Sequence, residues 1–486
     1  MKHPIRWAVF VLLLVFVWLL RPFFQPLVMA FVARPLRFVF IVLFVYGIWR
    51  LATLIREKKG SRRSSAVAAR IEGGKAILYI FGMMLLLVTL GLESEIRYTI
   101  AARTTEYEHR SDLPTFDPLR LTPKAVVKRY AEDTFQNPQE YLGDSQIVLV
   151  DGTLKRVLPR LPDGALLYFL KKLSGFVTVD VDTLERHVRI ENAEFKYAEG
   201  IGVFDNIRFQ LPLKRYFVTY SSQPIYLKNS EGAWITVLPY ISYRGFVFRL
   251  PYWAGVMVIH QDGTIEDFSP GEAAKLSYLK GNRIHPKEIV RFYSNAYAYK
   301  GGLLNKWFLH KNQTEVVSLP GEEDVFHVPT TEGFKQIVVA EPYGRSYGIY
   351  KIFIFDATTG RRELIEYDEA SQLTGPVAAA DYIKKEFPTY DWNVFSLSEP
   401  RPIKISGDLY WLLSIIPRDA AGIASTVLLN TRTNTVVNIK TESDLRIFIA
   451  AGIPPQEENT GDSRIEAERK IEEIERLLQE VKKLLH

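Results

Sequence analysis

No cysteine occurs in the 486 residues. That excludes disulfides, thiol nucleophiles, iron–sulfur clusters and cysteine-ligated zinc. A chain of this length can hold itself together without cross-links, because it can bury a sufficient apolar core. Histidine is also scarce. None of His109, His187, His260, His285, His310 and His327 stands two or four positions from another, the spacings that bring two imidazoles to one face for zinc. No Gly-Lys-Ser/Thr phosphate loop is found, and Gly200-Ile201-Gly202 does not continue into a dinucleotide fingerprint. Asp180-Val181-Asp182 opens like a calcium loop, but Leu184 follows and the glycine for its sharp turn is missing. No metal and no cofactor are expected.

Catalytic patterns fail in the same way. Gly344-Arg345-Ser346-Tyr347-Gly348 matches a nucleophile elbow, which needs a strand before it and a helix after it. Here Ile349–Phe355 reads as a strand, and His486 is the only histidine that follows. No catalytic residue is expected, and the chain is not read as an enzyme.

Acidic residues are nearly absent from the first 92 positions, where Glu57 and Glu72 stand alone and the net charge is +11. The remainder carries −5. The basic character is therefore local and gives no argument for nucleic acid.

What the start of the chain does contain is apolar runs: Trp7–Leu20, Phe38–Ile55 and Ala76–Leu92. Each approaches the roughly 20 residues that cross a bilayer as helix. Between the last two, Arg56–Lys75 holds Arg56, Lys58, Lys59, Arg62, Arg63, Arg70 and Lys75. Short loops this basic stay in the cytoplasm. The expectation is thus a multi-pass plasma-membrane protein with three N-terminal transmembrane helices, a cytoplasmic N-terminus and the bulk of the chain outside. Phe23–Ala33, broken by Gln25-Pro26, is open to three readings: interfacial, re-entrant, or part of a longer span. A signal peptide over Met1–Leu20 competes, but Arg21-Pro22-Phe23-Phe24 offers no small-residue cleavage site.

Beyond residue 92 the pattern becomes α+β and rich in strands. Thr122-Pro123 reads as a helix start, with Thr as N-cap. From Gln146 to Ile265 apolar residues alternate with period two, and Gln261-Asp262-Gly263 joins a hairpin. Pro286–Tyr299 reads as a helix. A second mixed region has a hairpin about Asp356-Ala357-Thr358-Thr359-Gly360, a helix over Pro376–Phe387, and strands at Leu409–Ile416, Thr426–Leu429 and Val436–Ile439. The domains expected are 1–92 as anchor with its loop 56–75, 93–310 as a β-rich domain, 311–453 as a mixed domain, 454–461 as linker and 462–486 as an amphipathic, coiled-coil helix. Tyr293, Tyr297, Tyr299, Trp307 and Phe308 gather aromatic surface about Gly301-Gly302, either as core or as an interface anchor.

The recurring unit is a helix, a strand, and a hairpin bearing Asp/Asn-x-x-Thr-Gly or a near variant. With Pro376–Phe387, Gly407-Asp408-Leu409-Tyr410-Trp411, Thr426–Ile439 and the Asp356–Gly360 turn, roughly residues 337–440 resemble the PepSY domain, an extracytoplasmic module. Asn430-Thr431-Arg432-Thr433-Asn434 departs from it by lacking the terminal glycine. The resemblance implies binding or regulation towards peptides or peptidases, without catalysis by the module.

At the C-terminus, Ser463 and Glu466 have capping-box spacing. Ile471, Ile474, Leu477, Leu478, Val481, Leu484 and Leu485 then form one broad apolar stripe, the expected partner-binding face. The partners expected are the lipid bilayer and other envelope proteins or a second copy of the chain, a homo-oligomer. The function expected is a membrane-anchored extracytoplasmic protein-binding or scaffold protein, an oligomeric part or accessory of an envelope complex. The alternative is a regulator or enzyme acting on envelope peptides.

Overall fold

The computed structural model describes residues 15–60, 66–317, 324–344, 348–368 and 373–454. Three helices open it: α1 (Arg21–Ala33), α2 (Pro35–Gly60) and α3 (Ala66–Thr104). The chain bends by 94° between α1 and α2, where Pro35 cannot continue the hydrogen-bond ladder. α2 and α3 run against each other, and Gly47 lets the backbone of α2 approach Met83.

This arrangement overturns the three-span anchor. Among the described residues no single helix is long and apolar enough to cross a membrane. Only Arg21–Ala33 and Pro35–Trp49 taken together have the length and composition, and they are the pair bent by 94°. The expected multi-pass plasma-membrane placement falls with the three spans. The physical reason is that two of these helices are built into the strand-rich body. α1 lies on a helix of that body, and the Gln25 side-chain amide donates to the carbonyls of Tyr216, at 3.0 Å, and Val218. The third apolar run does not end its helix. α3 continues to Thr104, where Arg97 donates to the Arg249 carbonyl at 2.8 Å and Ala101 is fully buried.

After the two-residue strand β1 (Glu108–His109), one unit recurs four times: a helix followed by five antiparallel strands. Unit 1 is α4 (Lys124–Thr134), β2 (Glu140–Leu142), β3 (Gln146–Val150), β4 (Thr153–Pro162), β5 (Leu173–Asp180) and β6 (Val188–Phe195). Unit 2 is α5 (Ile207–Lys214), β7 (Thr219–Tyr220), β8 (Ile225–Lys228), β9 (Trp234–Arg244), β10 (Leu250–Ile259) and β11 (Ile265–Phe268). Unit 3 is α6 (Lys287–Ala296), β12 (Thr314–Val316), β13 (Phe326–Thr330) and β14 (Gly333–Pro342). It continues through the small extra strand β15 (Gly348–Ile349) to β16 (Lys351–Asp356) and β17 (Arg362–Glu366). The strand β18 (Leu373–Thr374) pairs with β15 and leads into unit 4. Unit 4 is α7 (Pro376–Glu386), β19 (Phe395–Leu397), β20 (Arg401–Ile405), β21 (Asp408–Pro417), β22 (Ser425–Asn430) and β23 (Val436–Ile439), closed by α8 (Glu442–Ala451).

The sheets share one order. The short first strand and the hairpinned second strand both pair with the long third; the fourth and fifth follow outward. In unit 3, β1 adds in parallel beside β17. The expected boundary between residues 310 and 311 lies inside unit 3, between α6 and β12.

Units 1, 3 and 4 agree in register. Lys155 faces Asp180, Lys335 faces Asp356, and Tyr410 faces Asn430. The next residue, Val181, Ala357 or Thr431, donates its N–H to Leu154, Phe334 or Leu409, at 2.9, 2.9 and 3.0 Å. Its carbonyl accepts from the chain entering the unit's own helix: Leu121 at 2.7 Å, His285 at 2.7 Å and Thr374 at 2.7 Å. Proline explains why. In Leu121-Thr122-Pro123-Lys124 and Ile284-His285-Pro286-Lys287 it forces an extended residue before it. The chain therefore meets the turn straight before it coils. Pro123, not Thr122, occupies the N-cap of α4, and the Thr122 hydroxyl donates instead to the Thr183 carbonyl. Val126, Val127 and Tyr130, like Ile289, Val290 and Tyr293, form the buried face at helical spacing.

The units pack in a closed series. Phe176 and Phe195 of unit 1 share a core with Trp234 and Val256 of unit 2. Ile241 and Leu250 of unit 2 meet Tyr293 and Phe353 of unit 3. Ile337 and Ile352 of unit 3 meet Trp411 and Val427 of unit 4, and Ile416 of unit 4 returns to Val126 and Leu158 of unit 1.

Candidate functional site

The largest unexplained feature of the surface is the helical arm. On α2, Phe38, Val39, Ile41, Val42, Leu43, Val45, Tyr46, Ile48 and Trp49 are each 44–60% exposed. On α3, Phe81, Met84, Leu85, Leu87 and Val88 continue the surface. Phe40, Phe44 and Gly47 form the one covered face, with Gly47 against Met83 of α3, and apolar side chains are exposed around the rest of the helix. A helix apolar all round belongs inside something larger, and monomeric soluble proteins rarely expose such a patch.

The arm is clamped at its base. Arg37 pairs with Glu93 at 3.1 Å, and Glu93 is fully buried. Arg34 donates to Ser94 at 3.4 Å, and Arg249 of unit 2 donates to the Val32 carbonyl at 3.1 Å. Arg37, near the end of its apolar run, is therefore tied to a carboxylate rather than reaching for lipid headgroups. Glu93 is the first polar residue after the third run, and that was the signal available.

The aromatic group about Gly301-Gly302 divides. Tyr293 and Tyr297 are core; their hydroxyls donate to the Pro251 carbonyl at 2.9 Å and to Glu366 at 3.1 Å. Tyr299 stacks on Tyr98 of α3 at 5.3 Å. Trp307, Phe308 and Leu309 are exposed on a short π-helical turn, Asn305–Leu309, and Leu304 is exposed just before it. Such turns are frequent at functional sites. Beside it lies a polar cleft of about 230 Å³ bordered by Tyr98, Ser294, Asn295, Lys306 and Glu315. The Ser294 hydroxyl is buried there without a hydrogen-bond partner. Glu315 also faces Glu341 across β12 and β14. Burial first, and Glu315 second, push the Glu341 carboxyl up to about 7.

A second polar group is enclosed between units 1 and 3. His285 Nδ1 is 3.1 Å from Gln336 Oε1, and Gln336 Nε2 donates to the His285 carbonyl at 3.2 Å. Arg283 reaches Gln146 at 2.8 Å and His327 at 3.1 Å. Burial pushes His285 down to about 4, only partly offset by Gln336. A histidine depressed from about 6.5 is neutral in both states above that value. Between 6.5 and 4 only the unfolded chain takes up the proton, so stability falls as pH falls through this window. The expected loss is of the order of 3 kcal/mol, read as a falling urea midpoint between pH 6.5 and 4 that is flattened in His285→Gln.

Among the described residues no three of His, Asp and Glu gather as a metal would require. Ser346 and the whole predicted partner stripe, Ile471, Ile474, Leu477, Leu478, Val481, Leu484 and Leu485, lie outside the described residues.

No protein-family model matches the chain, and no curated protein matches it. Among solved structures, it is similar to a chain from Parabacteroides distasonis described as a "putative glycoside hydrolase", at 11% identity over 70% of this chain and 84% of that one, with a TM-score of 0.19. A likeness that slight carries no argument about fold or activity.

Proposed function

We propose that this chain is a protein-binding scaffold that works as a homo-oligomer, joined through its helical arm. The observation that carries the reading is the apolar surface of α2 and α3 on a base locked by Arg37–Glu93 and Gln25. Rigid attachment means that whatever covers the arm is held in fixed relation to the four-unit body. A second copy offers the same surface, and self-complementary patches are the commonest route to closed oligomers. The unit repeated four times supports a binding role of the kind the PepSY resemblance implies.

The test is a charge placed on the arm. Val42→Glu with Val45→Glu is expected to convert the oligomer to single chains while the body keeps its unfolding temperature within about 2 °C. An unchanged oligomer would contradict the reading.

A second reading, a regulator or enzyme acting on peptides, has one observation in its favour. Glu341 is held near pH 7 and pairs across strands with Glu315, which borders a polar cleft; perturbed carboxylates gather at working sites. That reading expects Glu341→Gln to abolish a peptide-dependent activity, whereas the scaffold reading expects oligomerisation to survive the substitution.

A further inference from the structure

We infer that a small inorganic anion, of halide size, binds in the small cavity between residues 116–120, unit 3 and unit 4, held by Arg120 and Arg401. The cavity is lined by Arg120, Arg401 and His327 and by apolar walls that include Phe116, Phe326, Ile403 and Leu412. Its free space is about 20 Å³, which suits one water-sized occupant and no organic ligand.

Charge favours an anion over water. Arg401 is 4% exposed. It donates to the carbonyls of Leu121 and, at 3.4 Å, Arg120, and to Ser414 at 2.7 Å, while its Nε has no partner. Arg120 pairs with Glu399, and its Nε is likewise buried without a partner. Glu399 is paired with Arg120, acts on Arg401 only as a neighbouring charge, and also accepts the Lys124 backbone N–H at 2.8 Å. Burial depresses the Arg401 pKa; Glu399 opposes the shift, and Arg120 and Arg156 add to it. One carboxylate beside the two guanidiniums that line the cavity leaves positive charge in apolar surroundings, where an added anion is strongly attracted. The Nε–H groups of these two lining side chains, buried without partners, are the donors available for its hydrogen bonds.

The experiment is thermal unfolding of the full chain at fixed ionic strength in sodium chloride, sodium bromide and sodium gluconate. Both halides are expected to raise the midpoint by roughly 2–4 °C over gluconate. The gain should vanish in Arg120→Gln, whose partly exposed side chain makes it the milder variant. Crystals grown in bromide should show an anomalous peak between Arg120 and Arg401. Equal midpoints in the three salts with no peak would overturn the proposal, as would a halide effect that persists in Arg120→Gln and Arg401→Lys, which would be a general salt effect.

Discussion

Gly360→Ala is expected to cost about 3 kcal/mol. Gly360 closes the turn between β16 and β17 at φ +74°, where a Cβ atom is strained. An alanine Cβ would also stand 2.7 Å from Cδ2 of His285 and 3.0 Å from Nε2. That ring cannot step aside: it is held by Gln336 and packed against Trp253 and Phe355. The Asp356 carboxylate fixes the rest of the turn, accepting from the N–H groups of Thr358 at 3.0 Å and Thr359 at 2.7 Å. The corresponding turn of unit 4 offers a control. Asn430 accepts in the same way from Arg432 and Thr433, and Asn434 takes the left-handed position at φ +59°. There Asn434→Gly should cost only about 1 kcal/mol, the hydrogen bond from Thr374. Urea unfolding of the two variants reads both effects; equal midpoints would show that the left-handed φ and the His285 contact do not penalise a methyl group at Gly360.

Glu399→Gln is expected to cost about 3–5 kcal/mol. The carboxylate is 7% exposed and links unit 4 to the start of α4 through Arg120 and the Lys124 N–H. Glutamine keeps the shape but leaves Arg120 and Arg401 without their counter-charge. Burial pushes the Glu399 carboxyl up, but Arg120, Arg401 and Arg156 pull it down further, and the net position is below the usual value of 4.5. A depressed carboxyl contributes stability above its unfolded pKa and loses it as pH falls through the folded one. The gap between wild type and Glu399→Gln should therefore be full at pH 7 and narrow below pH 4.5. A constant gap would mean that glutamine acts by misfit and not by charge.

The repeated unit was partly legible in the sequence because turns are local. Asp356 and Asn430 bond the N–H groups two and three residues on, and that chemistry is written in five residues. The β10–β11 turn uses Gly263, with the His260 N–H donating to the Thr264 carbonyl, so unit 2 shares the layout but not the motif. The apolar runs were legible as runs. Their arrangement was not, because it depends on the bend before Pro35 and on Glu93 finding Arg37, some 56 residues away. The central charges were missed although a signal existed. Arg401 alternates with Ile403 and Ile405, both buried, so a period-two reading already places its side chain on the inward face. Which residues close the circle of four units is a matter of contacts distant in sequence, and no local pattern carries it.

The role assigned to the arm rests on what covers it. Sedimentation velocity of the native particle, with solvent density varied to separate protein mass from bound amphiphile, measures this directly. The scaffold account predicts a protein mass that is a whole multiple, two or more, of 55.8 kDa. A single 55.8 kDa chain whose arm carries only lipid or detergent would contradict it.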